Sequence, residues 1–432
     1  MKKIASYALG CKVNQYESEA IAELFAEKGY EVVSVDDEAD VYIINTCTVT
    51  NFGDKKSRQL IRKVKRQNEN AIVAVVGCYA QTAPEELAAV HGVNLVIGTK
   101  DKSKIVELVE DYQAEQGVQN YVTDIMHERV FEPLEIKKLA NRTRAYLKIQ
   151  DGCSQFCSYC IIPYARGPIR SRQPEDVIAE VKRLAENGFK EVVLTGIHVA
   201  SYGKDLKTIT LTGIIRQVHE VEGIERIRFS SIEPNVVTEE FAAAMAELPK
   251  VCDHFHLSLQ SGCDKTLKEM NRKYDTEKYR QAAALLRKYL PDVAITTDII
   301  VGFPGETEED YQASRAFAEE IGFSKIHVFP YSPKKGTPAA ARKDQLQNAV
   351  KQARSHDLIT VNDRMTDAFL QKHVGKVMPV LFERRIGDDV YEGHTTNYMK
   401  VHARSTKDLS NVIAETKILS VAEEMAFGEV EA

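Results

Sequence analysis

Three cysteines stand together in the stretch DGCSQFCSYC, as Cys153, Cys157 and Cys160. Thiols spaced this way on one short segment are candidates for metal or redox chemistry. A structural zinc site closes with four protein ligands, and an ordinary ferredoxin cluster takes four thiolates. No fourth cysteine is near, and the nearest histidine, His198, falls on a different predicted loop. A thioredoxin-like pair would use Cys157 and Cys160 and leave Cys153 without a role. A three-ligand centre keeps one metal corner open, and open corners are where metal sites bind substrates. Three more cysteines, Cys11, Cys47 and Cys78, follow the strand-like runs KIASYALG, DVYIINT and AIVAVVG. All three fall just past the carboxyl end of a predicted strand, where open α/β sheets build ligand sites. One such cysteine suits a buried strand end as a small residue; three at equivalent places point to a shared metal site. Cys252 and Cys263 stand apart.

The elements that must position these thiols are legible as alternating patterns. Residues 1–112 alternate strand-like and helix-like runs, which predicts a doubly wound α/β domain with a mostly parallel sheet. Residues 113–140 are polar and weakly periodic and read as a linker. From 141 to 335 six strands, RAYLKIQ, EVVLTG, RIRFSS, HFHLSL, AITTDIIVG and KIHVFPYS, alternate with helical patterns. That rhythm predicts a partial (β/α)6 barrel, with chemistry at the carboxyl ends of its strands. The Cys153–Cys160 loop follows the first of these strands, at that end. Residues 336–371 read as a helical connector, and 372–432 as a small β domain. Small barrels of this size commonly grip nucleic acid; a plain accessory domain is the alternative.

Composition narrows the class. The chain has 432 residues, 44% of them apolar and 28% charged, and a formal charge of −6, so no global charge draws a polyanion. Such a partner must meet a local basic patch. DKKSRQLIRKVKR (54–66) is one: normally a solvated helix face, but placed directly after Cys47 and so suited to phosphate contact. VGFPGETEED (301–310) lacks the Lys–Ser/Thr of a phosphate loop and reads as a turn into an acid-led helix. No segment approaches the ~20 apolar residues of a membrane span. The apolar run in MKKIASYALGC is too short for a secretory leader, so a cytoplasmic location is expected. In that compartment eight cysteines point to metal or redox chemistry rather than disulfides.

The Cys153-x-x-x-Cys157-x-x-Cys160 run, with Tyr159 before its last cysteine, resembles the signature of radical S-adenosylmethionine (SAM) enzymes. The dispersed Cys11, Cys47 and Cys78, the barrel and the β-rich tail together resemble the methylthiotransferases of that superfamily, over nearly the whole chain. GCKVNQYESEA (10–20), CSYCIIPYARG (157–167), LTGIHVASYG (194–203), HLSLQSG (256–262) and EGHTTNYMKV (392–401) look most like the branch acting on N6-threonylcarbamoyladenosine in tRNA. SSIEPN (230–235) belongs to the same set. The other branches act on isopentenyladenosine in tRNA and on an aspartate of a ribosomal protein. Outside catalysis, the alternative is an iron–sulfur RNA-binding or electron-transfer protein.

The resemblance implies two 4Fe-4S clusters and SAM as cofactors. Cys153, Cys157 and Cys160 would hold the cluster whose fourth iron binds SAM; Cys11, Cys47 and Cys78 would hold the auxiliary one. Tyr159, Gly196, Ser231 and Glu233 are the expected cofactor contacts, Glu233 being either a ribose partner or a strand-end salt bridge. The family's tail is a TRAM-type RNA-binding barrel, so tRNA is the expected partner, with a reductant such as flavodoxin or ferredoxin and a sulfur source. Arg166, Arg170 and Arg172, Tyr398 and Lys400 are the candidate RNA contacts. Two departures stand out. The turn Thr195-Gly196-Ile197-His198 lacks the acid that many radical SAM enzymes place there, and Cys263 occupies an expected serine position.

Overall fold

A computed structural model describes residues 1–136 and 143–431. The end of the expected linker, the first residues of the expected barrel domain (137–142) and Ala432 lie outside the described residues. Six strands, β1 (Lys3–Ala8), β2 (Glu31–Val32), β3 (Val41–Thr46), β4 (Ile72–Gly77), β5 (Leu95–Val96) and β6 (Gln119–Asn120), form one parallel sheet in the order β2-β1-β3-β4-β5-β6. β3, VYIINT, is buried at every position, as an unbroken apolar run demands when helices cover both faces. Ile21 and Phe25 of the helix Lys12–Glu27 pack on one face, while Ile61 and Val64 of the helix Asn51–Gln67 pack on the other. The strand order reverses at β1, and the crevice past the carboxyl ends of β1 and β3 is the ligand position of such sheets.

The expected linker from 113 is only partly one. Residues 119–120 pair with β5 as the sheet edge, and Leu134 and Ile136 are buried in the next core. A two-residue strand has no alternation to read, which is why the pattern hid it.

The second unit contains β7 (Arg144–Asp151), β8 (Arg170–Ser171), β9 (Glu191–Gly196), β10 (Arg226–Phe229), β11 (His254–His256), β12 (Ala294–Val301) and β13 (Lys325–Pro330). β7, β9 and β10 run parallel, as do β11, β12 and β13. Parallel bridges Ile227↔Val251 and Ile232↔Leu257 join the two sets into an open barrel. The antiparallel β8, too short to show a period, extends the edge beyond β7. Tyr16 and Ala20 of the helix Lys12–Glu27 belong to the barrel core, while Ile21 and Phe25 belong to the first sheet. One helix therefore fixes both units to each other. The helix Glu308–Ile321 opens with a capping box between Thr307 and Asp310, as its acid-led start suggested.

The helix Asn348–Gln371 leads into a closed barrel of β14 (Val377–Gly387), β15 (Val390–Thr395), β16 (Lys400–Arg404), β17 (Val412–Ala422) and β18 (Met425–Val430). Arginines on the larger barrel hold it. Arg228 donates to the carbonyls of Thr396 and Thr395 at 2.7 and 2.6 Å, and Arg226 to those of His394 and Pro379 at 2.8 and 2.7 Å. Replacing Arg228 by Met leaves those two carbonyls unpaired at a buried junction, at a cost of about 2–4 kcal/mol. The expected result is faster proteolytic release of the small barrel at residues 372–376, measured by timed digestion; a wild-type rate would remove Arg228 from this role.

Candidate active site

The loop after β7 begins with Gly152, whose φ is 71°. A Cβ there would stand 1.8 Å from the carbonyl oxygen of Pro168, so only glycine lets the chain turn this tightly. The turn delivers Cys153, Cys157 and Cys160 to the carboxyl end of the barrel. Gly10 does the same for the other triad: a Cβ would lie 2.6 Å from Cys47 Sγ, so Cys11 and Cys47 approach across a bare backbone. The helix Cys78–Thr82 packs on the helix Ile162–Arg166, which follows the Cys160 loop. Strand ends of two different sheets thus bring the six cysteines to one region.

All eight cysteines are free thiols. Burial pushes the Cys47 and Cys160 thiols up to about 12 and Cys153 to about 11. Without a cation these sulfurs stay protonated. Backbone N–H groups of Gln155, Ile162 and Val49 nonetheless point at Cys153, Cys160 and Cys47. Each triad also has one guanidinium on a sulfur: Arg272 Nη1 lies 3.1 Å from Cys157 Sγ, and Arg166 Nε 3.1 Å from Cys78 Sγ.

Behind the Cys11 triad lies a buried ionic block. Glu17 accepts from Arg166 at 2.6 Å, Lys148 at 2.7 Å and Lys102 at 2.9 Å, and Asp151 pairs with Lys148 at 2.6 Å. Arg170 is 3.6 Å from Asp151. Burial alone would raise the Glu17 carboxyl, but Arg166, Lys102 and Lys148 hold it well below the usual carboxylate range. Four basic groups face two carboxylates, so the block is short of negative charge. One buried thiol in each triad, N–H groups aimed at sulfur and a nearby guanidinium together fit an anionic iron–sulfur cluster.

The other expected residues fall in three groups. Tyr159 packs beside Phe303 and Tyr331, Gly196 ends β9, and Ser231 and Glu233 follow β10, all near the carboxyl ends of the barrel strands. Glu233 has both oxygens engaged, by Arg272 at 2.9 Å and His198 at 3.2 Å. It brings beside His198 the acid that the Thr195–His198 turn lacks.

The arginines expected on RNA are a correction. Arg166, Arg170 and Arg172 are 0, 3 and 2% exposed. Arg172 pairs with Glu180, and the other two belong to the Glu17–Asp151 block. Buried carboxylates claim all three, so none reaches a phosphate. Tyr398 is half-buried and lines a cavity together with Lys400: His254 and His394 stack on its ring at 4.8 Å, and Arg144 and Arg228 lie 5.1 and 4.7 Å from its centroid. Lys400 keeps an accessible side chain, 3.7 Å from Glu392.

Sequence reading missed Arg272, Glu17, Lys148 and Asp151. Asn14 and Glu17, three apart on the helix after Cys11, were a usable sign of a buried polar face. Nothing local ties Arg272 to Cys157.

Residues 147–318 match the Radical SAM superfamily, and residues 3–98 match the uncharacterized protein family UPF0004. The threonylcarbamoyladenosine tRNA methylthiotransferase MtaB of Bacillus subtilis is 45% identical over 424 residues, 97% of this chain and 94% of that protein. Its namesake from Aquifex aeolicus is 39% identical, over 95% of this chain and 99% of its own. The tRNA-2-methylthio-N(6)-dimethylallyladenosine synthase of Akkermansia muciniphila is 36% identical, over 97% of this chain and 96% of its own. Among solved structures, the radical S-adenosylmethionine methyltransferase TsrM from Kitasatospora setae shares the fold, with a TM-score of 0.57 at 16% identity over 79% of this chain and 77% of that one. With two cysteine triads at adjoining sheet ends, and with this likeness running the length of the chain, the protein belongs to the radical SAM methylthiotransferase family.

Proposed function

We propose that this enzyme places a methylthio group on C2 of N6-threonylcarbamoyladenosine in tRNA, beside the anticodon. The observation that carries the reading is the meeting of two cysteine triads at one region, in a chain 45% identical to a threonylcarbamoyladenosine tRNA methylthiotransferase. An aromatic C–H bond is too strong for acid–base chemistry, so a radical must break it. Cys153, Cys157 and Cys160 would hold an iron–sulfur cluster, which would supply the electron for reductive cleavage of SAM and so the radical chemistry.

The chain's own residues do the rest. Cys11, Cys47 and Cys78 would hold the second cluster. Tyr159, Gly196, Ser231 and Glu233 would contact SAM, the pairing of Glu233 with Arg272 tying that contact to Cys157. The target base must leave its stack to reach the barrel mouth. Lys55, Lys56, Arg62 and Arg66 form an exposed basic face on the helix Asn51–Gln67, beside exposed Phe52, and suit the tRNA backbone. Lys400, accessible on the small barrel, would be a further contact. A reductant such as flavodoxin or ferredoxin and a sulfur source complete the reaction, in the cytoplasm; no described helix is long and apolar enough to cross a membrane.

Mass spectrometry of tRNA nucleosides from a strain lacking the protein tests the reading. The expected result is loss of the 2-methylthio form of N6-threonylcarbamoyladenosine and gain of its unthiolated parent. Loss of the methylthiolated dimethylallyl nucleoside instead would move the enzyme to that branch. An unchanged tRNA profile would turn attention to a ribosomal protein aspartate.

A further inference from the structure

A cavity of about 490 Å³ opens between the larger barrel, the helix Lys12–Glu27 and the small β-barrel. Lys12, directly after Cys11, stands on one wall, and Ser231, two residues before Glu233, on another. The cavity therefore adjoins the segment that carries Cys11 and the strand end that leads to Glu233. Its lining is rich in cations, and most of them are already spent. Arg144 and Arg228 share Glu191 at 2.6 and 2.9 Å, and Lys325 pairs with Glu424.

Lys12 differs. Among the described residues no carboxylate pairs with it, and its Nζ lies 5.9 Å from the centre of the Tyr146 ring. Its residue is exposed to solvent and its ammonium stands on the cavity wall. A cation without a carboxylate partner at such a wall is a ready counter-charge for an anionic group.

On the facing strands, His256 Nδ1 bonds Thr296 Oγ1 at 3.0 Å, and its Nε2 is 3.3 Å from Asp298. His256, Asp298 and His327 bring their ligand atoms within 4.8 Å of one another, a spacing that a small cation tolerates. With Arg144, Arg228 and Lys325 paired, the unpartnered Lys12 ammonium is the charge on this wall that favours an anion over a dication.

We propose that this cavity receives the N6 substituent of the target adenosine, with Lys12 as the counter-charge of its carboxylate and Asp298 as the acceptor for its hydroxyl. This rests on the threonylcarbamoyl reading above and adds the residues that would select that substituent. A threonylcarbamoyl group carries one carboxylate and one hydroxyl, and a dimethylallyl group carries neither. A site that offers a cation to a substrate carboxylate favours the substituent that carries one over an analogue that lacks it.

The test uses the full-length, cluster-reconstituted enzyme and two tRNA anticodon arms, one bearing threonylcarbamoyladenosine and one its carboxylate methyl ester. The wild type is expected to favour the acid in KM and in direct binding by about 10- to 100-fold, the range of one charge-assisted bond. Lys12→Met brings that ratio close to one, and Lys12→Arg keeps it. Misfolding or cluster loss lowers both substrates together and leaves the ratio alone. An unchanged ratio in Lys12→Met overturns this inference while the proposed function stands. Wild-type turnover of a dimethylallyl arm with none of the threonylcarbamoyl arm overturns both. A stoichiometric divalent ion beyond the iron, lost in His256→Ala, would give the cavity to a metal and also overturn the inference.

Discussion

A Cys157→Ala variant, reconstituted without oxygen, is expected to hold about half the iron of the wild type, roughly four atoms instead of eight, and to cleave no SAM. Cys157 is buried at the centre of its loop, with the guanidinium of Arg272 on its sulfur at 3.1 Å. Its loss leaves two thiols, too few to keep the open-cornered cluster, and strips the arginine of its sulfur partner. The other triad stands at the ends of β1, β3 and β4, on a different sheet, and keeps its ligands. Iron assay and chromatography of 5′-deoxyadenosine read the two effects separately. Cleavage at the wild-type rate would falsify the assignment of Cys153, Cys157 and Cys160, while complete loss of iron would show that the two centres assemble together.

The second large effect is expected at Arg166. Its side chain is wholly buried and touches Asn14 Oδ1 at 2.6 Å, Glu17 at 2.6 Å and Cys78 Sγ at 3.1 Å, with Asp151 at 3.5 Å. Asn14, Glu17 and Cys78 belong to the first sheet domain, whereas Arg166 and Asp151 belong to the barrel. Arg166→Met therefore removes a cation from a junction whose partners are fully buried. Breaking one partner of a buried ionic group costs about 3–5 kcal/mol. The expected outcome is a lower urea midpoint together with selective loss of the Cys11, Cys47 and Cys78 cluster, about four irons per chain. Arg166→Lys keeps charge without the planar fork and should recover part of the stability but less of the iron. Full iron and an unchanged midpoint in Arg166→Met would remove the arginine from both roles.

Asp151 bears on the pH range of that junction. Burial opposes its ionisation, yet Lys148, Arg166 and Arg170 hold its carboxyl below the ordinary carboxylate range, as Arg166, Lys102 and Lys148 do for Glu17. Carboxyls lowered in the folded state contribute stability above their unfolded values, and that contribution fades as pH falls through the folded ones. The junction should accordingly hold across neutral pH and weaken only in acid.

Particular residues show where sequence reading succeeded and where it could not. The strands that carry the cysteines are long apolar or alternating runs, so their ends, and the thiols just past them, could be counted off. The Cys153–Cys160 spacing is local and needs no partner to be seen. The linker edge at Gln119–Asn120 and the short β8 are two residues each, below the length at which a period exists. Arg166, Arg170 and Arg172 read as a basic run beside a cluster, which is what an RNA contact also looks like. Their charge was visible; their carboxylate partners were not. Glu17 lies 149 residues from Arg166, and no propensity or spacing spans such a gap.

The sequence by itself determined the thiol sets, the parallel strands that present them and the likeness to a family, because these depend on local periodicity and short spacings. Only the tertiary structure decided which charges face solvent. It turned three arginines inward, gave Arg272 to Cys157 and Arg166 to Cys78, stacked Tyr398 between imidazoles, and left Lys12 alone in the cavity. Pairing between charged groups depends on distance and burial after folding, and chain order carries neither.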